Sequence, residues 1–509
     1  MQYSSREFGR DWRYAVEQEF TTGDESPFPY APDGHQSWGN EVANIPLQDA
    51  SKGCVSADGK YIAIAVGKDV HVFSTQTHEA VAVLRGHLTE VSGVAFQPNN
   101  SNMLLSSSSE LVKRAGGKLV VEAQAAIILW RLDEQNVVAA QRSDAVQSIA
   151  KAASDAAIAK LAETGTTLMQ SEVAELEELF TPGIQHVVTK HVTASKISIH
   201  GTLLTSFGSN TFSPSGRFMV YVPGNRPRSN DVVEWDMCIC RTDDLATPVL
   251  KLSGHTDAIM WAGWNQDETL FASVAWDSTV RIWDAASGEA VRIFRTGDRC
   301  QNWTGEFSPN SKYFVATDGT SRVHVYDISS IASSAHGSAD NSEAYWVYLG
   351  MKEYDGWRRT VSWHPNSKWL AVGKDQGYEL IVLDVEEKKL LQKRTLSTAA
   401  MQVDREELRS MVARYPGATH VQFADKGKKV VVWTQGDDSI EVFDVAKEQK
   451  WRFGRGGTED VPGAEAWRDD NGKLTSPYGL GMLVWESDSK LQMASLDGDA
   501  IRFWAIHIE

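Results

Sequence analysis

One short stretch of this sequence restricts the possible folds more than any other feature. It opens with Gly254-His255, continues to Trp276-Asp277 and ends at Trp283-Asp284. Within and just after it, short apolar segments alternate with turn residues, a pattern that predicts β-strands. The predicted strands are Met260–Trp264, Leu270–Ala275, Val280–Trp283 and Ala290–Phe294. Such closely spaced strands are typical of one unit of an all-β repeat protein.

The Gly-His opening, the Trp-Asp ending and the strand spacing resemble the WD-repeat family, whose members fold as β-propellers. In that family, a His, a Ser, an Asp and a Trp of one blade form a hydrogen-bonded tetrad. The resemblance assigns these roles to His255, Ser273, Asp277 and Trp283. Such a network satisfies polar groups that would otherwise be buried unpaired. The resemblance therefore implies that the His–Asp pair is structural rather than catalytic.

A weaker version of the unit recurs along the chain as a strand, a tight turn and a second β-rich strand. Besides the stretch above, it is found at Cys54–Ala65, Val91–Ser107, Asn210–Tyr221, Trp303–Ala316, Thr360–Val372, His420–Trp433 and Met482–Ala494. Only the second unit keeps another Gly-His start, Gly86-His87, together with a Trp, Trp130. We predict eight blades, one for each unit. Seven blades is the alternative, because the tetrad is degenerate in the other units.

The chain ends just after Phe503-Trp504, on the third strand of the last predicted blade. We expect Glu41–Leu47 to supply the missing fourth strand, since an open edge exposes unpaired backbone groups. Residues 41–509 then form a single β-propeller domain. Residues 1–40 are rich in aromatic side chains, which favours an N-terminal extension packed on the propeller over a peptide captured by a partner.

The longest departure from the repeat, residues 133–190, follows Trp130 and predicts a helical insertion in the second blade. Apolar residues at helical spacing indicate one helix over Asp144–Ala162, with Asp144 and Gln147 as a capping box, and a second over Ser171–Phe180. Apolar helical faces usually pack on their own protein. The alternative is that the insertion is a docking arm for a partner.

Composition excludes several classes of function. The formal net charge of −17 makes nucleic acid an unlikely main partner. No apolar run is long enough for a membrane-spanning helix, and the N-terminus lacks a signal-peptide pattern, so we expect a cytoplasmic or nuclear protein without membrane association. The four cysteines are not spaced as a zinc site or a disulfide framework, and we predict no metal and no cofactor.

No motif of a phosphate-binding loop, a zinc protease or a serine hydrolase is present. We therefore predict a protein that is not an enzyme. The alternative is a propeller hydrolase that uses the central channel, which would need acidic or histidine side chains at the starts of the first strands. Where those positions can be assigned, they read Val91, Ala258, Gln301 and Thr360.

The resemblance implies a scaffold or adaptor subunit of a multiprotein complex, and long loops on a rigid scaffold are where binding usually occurs. Aromatic residues and arginines, which are enriched at binding hot spots, cluster in loops assigned to the top face. The candidate partner-binding residues are Arg226, Arg228, Arg299, Trp303, Tyr354, Trp357, Arg358, Arg359, Trp467 and Arg468. Arginines on an acidic protein favour an acidic or phosphorylated peptide as ligand. The alternative for Trp303 and Trp357 is packing between blades.

Overall fold

The fold is known from a computed structural model, which describes most of the chain. The described residues are 16–115, 118–166, 168–193, 198–224, 234–297, 300–331, 343–349, 357–374, 379–396, 417–435, 439–454, 481–496 and 500–508. They form a series of largely antiparallel sheets, half of them of four strands, with two helices inserted after the second blade's third strand. The chain is thus mostly β, as predicted.

The first blade follows three short N-terminal strands, which pair with the last strands of the three C-terminal blades. The N-terminal strands are β1 (Val16–Gln18), β2 (Tyr30–Ser37) and β3 (Ala43–Pro46). The first blade consists of β4 (Ala50–Val55), β5 (Tyr61–Val66), β6 (Asp69–Ser74) and β7 (Ala80–Arg85). Its two middle strands are the most buried, because both of their edges are paired.

The second and third blades are joined in one seven-stranded sheet. Its strands are β8 (Val91–Gln97), β9 (Asn100–Ser108), β12 (Ala126–Arg131), β13 (Ser198–Leu203), β14 (Phe218–Pro223), β15 (Trp235–Arg241) and β16 (Asp244–His255). The strand β13 pairs with β12 through its first half and with β14 through its second half, which joins the two blades. A hairpin of β10 (Leu111–Ala115) and β11 (Lys118–Ala123) extends between β9 and β12.

The fourth blade is the stretch that carries the strongest sequence pattern. It consists of β17 (Ile259–Trp264), β18 (Leu270–Ala275), β19 (Thr279–Asp284) and β20 (Ala290–Arg295). Each boundary lies within one residue of the prediction. The fifth blade consists of β21 (Asn302–Phe307), β22 (Tyr313–Asp318), β23 (Val323–Asp327) and β24 (Trp346–Tyr348).

The last three blades receive the N-terminal strands. The sixth and seventh blades contain β25 (Arg358–Trp363), β26 (Trp369–Lys374), β27 (Glu379–Asp384), β28 (Lys389–Leu396), β29 (Gly417–Ala424), β30 (Lys429–Gln435), β31 (Ser439–Asp444) and β32 (Gln449–Gly454). The eighth contains β33 (Gly481–Ser487), β34 (Lys490–Leu496) and β35 (Ala500–His507). The strand β1 pairs with β28, β2 pairs in parallel with β32, and β3 pairs with β35 as a fourth strand.

Residues Val16–Pro46 therefore form a strap along the outer edges of three consecutive blades. Phe20 and Phe28 are 0% and 2% exposed and pack in the core between the sixth and seventh blades. Glu19 of the strap pairs with Arg394 and with Lys450, which ties it to the same two blades. The strap is held by side chains as well as by strand pairing.

Hydrophobic clusters join the blades to one another. Each of eight clusters among the described residues contains side chains from two or three blades that are consecutive in the chain, except one that joins the last blade to the first. That cluster packs Trp485 and Phe503 against Ile62 and Phe73. A closed ring of eight blades requires this arrangement, and the count of eight stays our prediction.

The helical insertion consists of α1 (Leu132–Glu163) and α2 (Gln170–Thr193), which pack on each other. The helix α1 contacts β7, β9 and β12, and its buried side chains include Val146 and Ala150. Neither described helix is long and apolar enough to span a membrane.

Both helices are longer than predicted. The helix α1 begins directly after Arg131, with no side-chain cap, so the expected capping box at Asp144 lies inside the helix and was wrong. The helix α2 continues past Pro182, although proline usually breaks a helix interior by removing one N–H donor.

Candidate functional site

The first strands of neighbouring blades lie next to one another, as the predicted ring requires. The strands β17, β21, β25, β29, β33 and β4 contact one another in succession, although they belong to different sheets. Such contacts place the first strand of each blade innermost, where it lines a central channel. Because each first strand starts at the predicted top face, residues late in these strands lie toward the opposite face.

A loop of the third blade, Leu204–Asn210, reaches into this channel, and we call it the channel loop. The Lys52 ammonium donates to Ser206 Oγ at 3.3 Å, and the Thr304 hydroxyl donates to the Phe207 carbonyl at 2.7 Å. The Asn210 N–H donates to the Ala262 carbonyl at 3.0 Å. These bonds tie the loop to the first, fifth and fourth blades. Phe207 adopts a positive φ of 56°, which is uncommon for a residue other than glycine.

At the top of the channel, five side chains from four blades meet in what we call the top-face cluster: Phe207, Trp276, Trp303, Trp357 and Arg359. The Trp303 ring centroid lies 5.6 Å from that of Phe207, 5.2 Å from that of Trp276 and 5.4 Å from that of Trp357. The guanidinium carbon of Arg359 lies 4.0 Å from the Trp303 ring centroid and 4.4 Å from the Trp357 ring centroid. Cation–π contacts of this kind orient the guanidinium group.

Burial separates the roles of the two predicted tryptophans. Trp303 is 6% exposed and forms the centre of the cluster, whereas Trp357 is 37% exposed. Arg359 is partly exposed between them. Trp303 therefore supports the surface, and Trp357 with Arg359 presents an aromatic face and a positive charge at the channel mouth.

The neighbouring Arg358 lies elsewhere, and it corrects the prediction that both arginines face a partner. Its side chain is 1% exposed, donates from Nε to the Ser321 carbonyl at 2.9 Å and pairs with Glu379. Successive side chains of a strand point to opposite sides, so Arg358 enters the interface between the fifth and sixth blades. We leave Arg358 out of the binding surface.

The remaining candidate residues were predicted in loops of the top face, some within a blade and some between blades. They are Arg226, Arg228, Arg299, Tyr354, Trp467 and Arg468, and all of them lie outside the described residues. Their participation in the top face stays a prediction.

The four residues assigned to the tetrad form a hydrogen-bonded chain inside the fourth blade. His255 Nδ1 lies 2.8 Å from Asp277 Oδ2, and His255 Nε2 lies 2.7 Å from Ser273 Oγ. The Trp283 indole N–H donates to Ser273 Oγ at 2.9 Å. Burial lowers the pKa of His255, so the imidazole is neutral, while hydrogen bonds outweigh burial and hold the pKa of Asp277 at about 2. The network joins strands and is enclosed in the blade.

The second blade keeps a shorter version of this network. His87 Nε2 lies 2.6 Å from Ser106 Oγ, to which the Trp130 indole N–H donates at 2.7 Å. The shared Ser on the second strand thus links the His before the first strand to the Trp on the third in both blades.

A carboxylate that the sequence reasoning missed lines the channel on the other side of the channel loop. Glu306 lies near the end of β21 and faces a cavity of about 360 Å³ between the fifth, sixth and seventh blades. Burial raises the pKa of Glu306 to about 8, although the Trp363 N–H donates to Oε2 at 3.0 Å. The prediction considered only the starts of first strands, whereas a charged residue within the apolar segment Trp303–Phe307 was the available signal. In the described part of the chain, no three His, Cys, Asp or Glu residues are grouped to hold a metal ion.

Glu306 is expected to make the fold less stable as the pH rises. Its pKa is 4.5 in an unfolded chain and about 8 in the folded protein. Between these values the unfolded state binds fewer protons, so stability falls with increasing pH. Glu306→Gln removes this effect, and thermal unfolding should show a variant more stable than wild type at pH 8 but not below pH 4.5. Equal pH dependence of the two proteins would contradict the shifted pKa.

Comparisons with known proteins agree with this architecture. Residues 78–113 and 246–284 match the family model described as WD domain, G-beta repeat, and the second segment contains the whole tetrad. The chain is similar to the ribosome biogenesis protein WDR12 homolog of Anopheles gambiae, at 26% identity over 26% of this chain and 27% of that protein. It is also similar to the E3 ubiquitin-protein ligase COP1 of Arabidopsis thaliana, at 31% identity over 26% of this chain and 19% of that protein. The matches thus span only 27% and 19% of the length of these two relatives.

Among solved structures, the chain is similar to Sqt1 of Saccharomyces cerevisiae. The TM-score is 0.55 and the identity is 8%, and the alignment covers 92% of this chain and 99% of that one. At this identity the similarity concerns the fold alone.

Proposed function

We propose that this chain, two segments of which match the WD-repeat model, is a non-enzymatic scaffold, a subunit that binds other proteins and holds them in one complex. The top-face cluster is the observation that carries the proposal. It joins residues of the third to sixth blades into one surface, and it leaves Trp357 37% exposed beside the Arg359 charge. An exposed Trp next to an Arg is the composition enriched at binding hot spots.

The rigidity of the cluster supports a binding role. Trp303 is buried under Trp357 and Arg359, so partner binding would immobilise few additional rotamers. Association costs less free energy when the contacting side chains are already ordered. The strand β25 fixes Arg359 at the channel mouth, and the two indole rings hold its guanidinium group.

The chemistry of the cluster favours a ligand with a negative charge next to an apolar group. A guanidinium group carries the charge that a carboxylate or a phosphate binds, and Trp357 offers an apolar face. The net charge of −17 makes such a local positive site specific for its ligand, because the rest of the surface repels acidic chains. We therefore propose an acidic or phosphorylated peptide segment of another protein as the ligand.

Ribosome assembly is the process in which we would look first for that partner. Three relatives with sequence matches are named as ribosome biogenesis proteins, the WDR12 homologs of Anopheles gambiae, Nematostella vectensis and Aedes aegypti. A role in that process would place this chain in the nucleus, within the cytoplasmic or nuclear range expected from its sequence. The ubiquitin ligase among the relatives is a reminder that WD repeats serve more than one process.

The test is capture of partners by the tagged full-length chain from its native cells, followed by mass spectrometry. We expect stoichiometric partners with wild type and a loss of at least one of them with Trp357→Ala or Arg359→Ala. Arg217→Ala is the matched control, because Arg217 is an exposed arginine with a 71% exposed side chain on the turn before β14, at the opposite face. A partner set that is identical for all three variants would refute the top-face proposal.

A further inference from the structure

The cavity beside Glu306 is separate from the top-face cluster. Its walls are the later residues of three first strands, Thr304–Glu306, Val361–Trp363 and Val421–Phe423, and Phe207 with Gly208 of the channel loop close one side. The top-face cluster is built on the first residues of β21 and β25. The channel loop thus divides the channel into an upper surface and a lower cavity of about 360 Å³, within the size range of small-ligand sites.

Glu306 is the ionisable side chain among the residues that line this cavity. Its Oε2 accepts the Trp363 N–H, and nothing among the described residues donates to Oε1. The other walls are Phe207, Trp363 and Phe423 together with two valines and neutral polar groups. A carboxylate in such surroundings lacks the positive partner that buried charges normally have.

We propose that the cavity binds an alkylammonium group, which pairs with Glu306. The ammonium offers hydrogen-bond donors to Oε1. A neutral ligand supplies no counter-charge and would leave Glu306 protonated, and an anion would oppose the ionisation of Glu306. The free amine and a lysine side chain of a partner share this chemistry.

Proton linkage gives the proposal a distinct signature. Burial raises the pKa of Glu306 to about 8, so at neutral pH the empty cavity holds a carboxylic acid. An alkylammonium ion keeps its charge at that pH, because its own pKa is near 10. Binding therefore displaces a proton from Glu306, and affinity increases as the pH rises toward 8.

Other charged groups near the channel do not replace Glu306 in this role. His420 on β29 has its pKa lowered to about 4 by burial and is neutral at pH 7. Arg359, at the other end of β25, is held between Trp303 and Trp357 in the top-face cluster. From the channel loop, β21, β25 and β29, the cavity residues contribute no further ionisable group.

Calorimetric titration of the full-length protein tests the proposal. The probes are n-butylammonium, Nα-acetyl-lysine amide and, as the uncharged control, n-pentanol. We expect saturable binding of butylammonium at pH 7 with release of a proton, measured in two buffers of different ionisation enthalpy. Glu306→Gln should weaken it about tenfold or more, which corresponds to about 1.4 kcal/mol. Glu163→Gln, an exposed carboxylate on α1, should bind as wild type does.

The outcomes separate the possible ligands. Tighter binding of the lysine derivative than of butylammonium would identify a side chain of a partner as the natural source, and the reverse would identify a free amine. Equal affinity of Glu306→Gln, equal affinity for n-pentanol, or no saturation up to about 50 mM butylammonium would each overturn the proposal. Thermal unfolding of Glu306→Gln in the same buffer shows that the variant is folded.

Discussion

Deleting residues 1–50 is expected to leave most of the expressed chain aggregated. The deletion removes the strap, and with it the pairing partners of β28, β32 and β35 in three consecutive blades. Each exposed strand edge would present a row of unpaired N–H and C=O groups, which is a template for association with other chains. The last blade would keep only three strands.

The side chains of the strap add to this effect. Phe20 and Phe28 are fully buried between the sixth and seventh blades, and truncation of a buried Phe to Ala typically costs about 3–5 kcal/mol. The deletion also leaves Arg394, Lys450 and Arg502 without the carboxylates of Glu19 and Glu41. A domain of ordinary stability, about 5–15 kcal/mol, does not tolerate these losses together.

The measurement is the fraction of protein that remains in the supernatant after expression, followed by size-exclusion chromatography. Phe20→Ala/Phe28→Ala should lower the unfolding temperature strongly without removing any strand. Val42→Ala should not, because Val42 lies in the strap with 63% of its side chain exposed. A truncated chain that stays monomeric with an unchanged unfolding temperature would show that the strap is dispensable.

The sequence predicted part of the strap for a physical reason. The last predicted blade has three strands of its own, and the apolar segment just before the first blade was the nearest source of a fourth, which is where β3 is found. The positions of β1 and β2 were not predicted. Which edge an added strand covers depends on the path around the ring, and strand propensity carries no information on that path.

The top-face cluster, like the strap, was predicted only in part, because contacts between distant parts of the chain cannot be read from local sequence. Residue type and loop position were sufficient to nominate Trp303, Trp357 and Arg359, which the structure brings together. The contribution of Phe207 was missed because it comes from the channel loop, where the third blade departs from the repeat. Glu306 was missed because a repeat pattern does not reveal which residues face the channel far from the strand start.

Arg358 and Arg359 are adjacent in sequence, yet their substitution is expected to have opposite consequences. Arg358→Ala should destabilise the fold by about 3–5 kcal/mol, because it leaves the buried Glu379 with fewer positive partners. It also removes the hydrogen bond to the Ser321 carbonyl across the blade interface. Arg359→Ala should leave the unfolding temperature nearly unchanged and act on partner binding.

Glu379→Ala is the more severe test of the same ion pair. It would leave both Arg358 and Lys393 buried without their shared carboxylate, since Glu379 pairs with both of them. Removing one member of a buried pair leaves an uncompensated charge in a low-dielectric environment, which is far more costly than losing a pair at the surface. Lys160→Ala breaks an exposed ion pair with Glu163 and is the matched control, with an expected change below about 1 kcal/mol.

Chemical denaturation of the four variants measures these differences directly. The order expected for loss of stability is Glu379→Ala, then Arg358→Ala, with Arg359→Ala and Lys160→Ala close to wild type. This order also bears on function, because a double substitution at 358 and 359 would lose partner binding through unfolding and so could not test the binding surface. If Arg358→Ala is as stable as wild type but fails to capture partners, Arg358 belongs to the binding surface and its burial in the free protein is relieved by the partner.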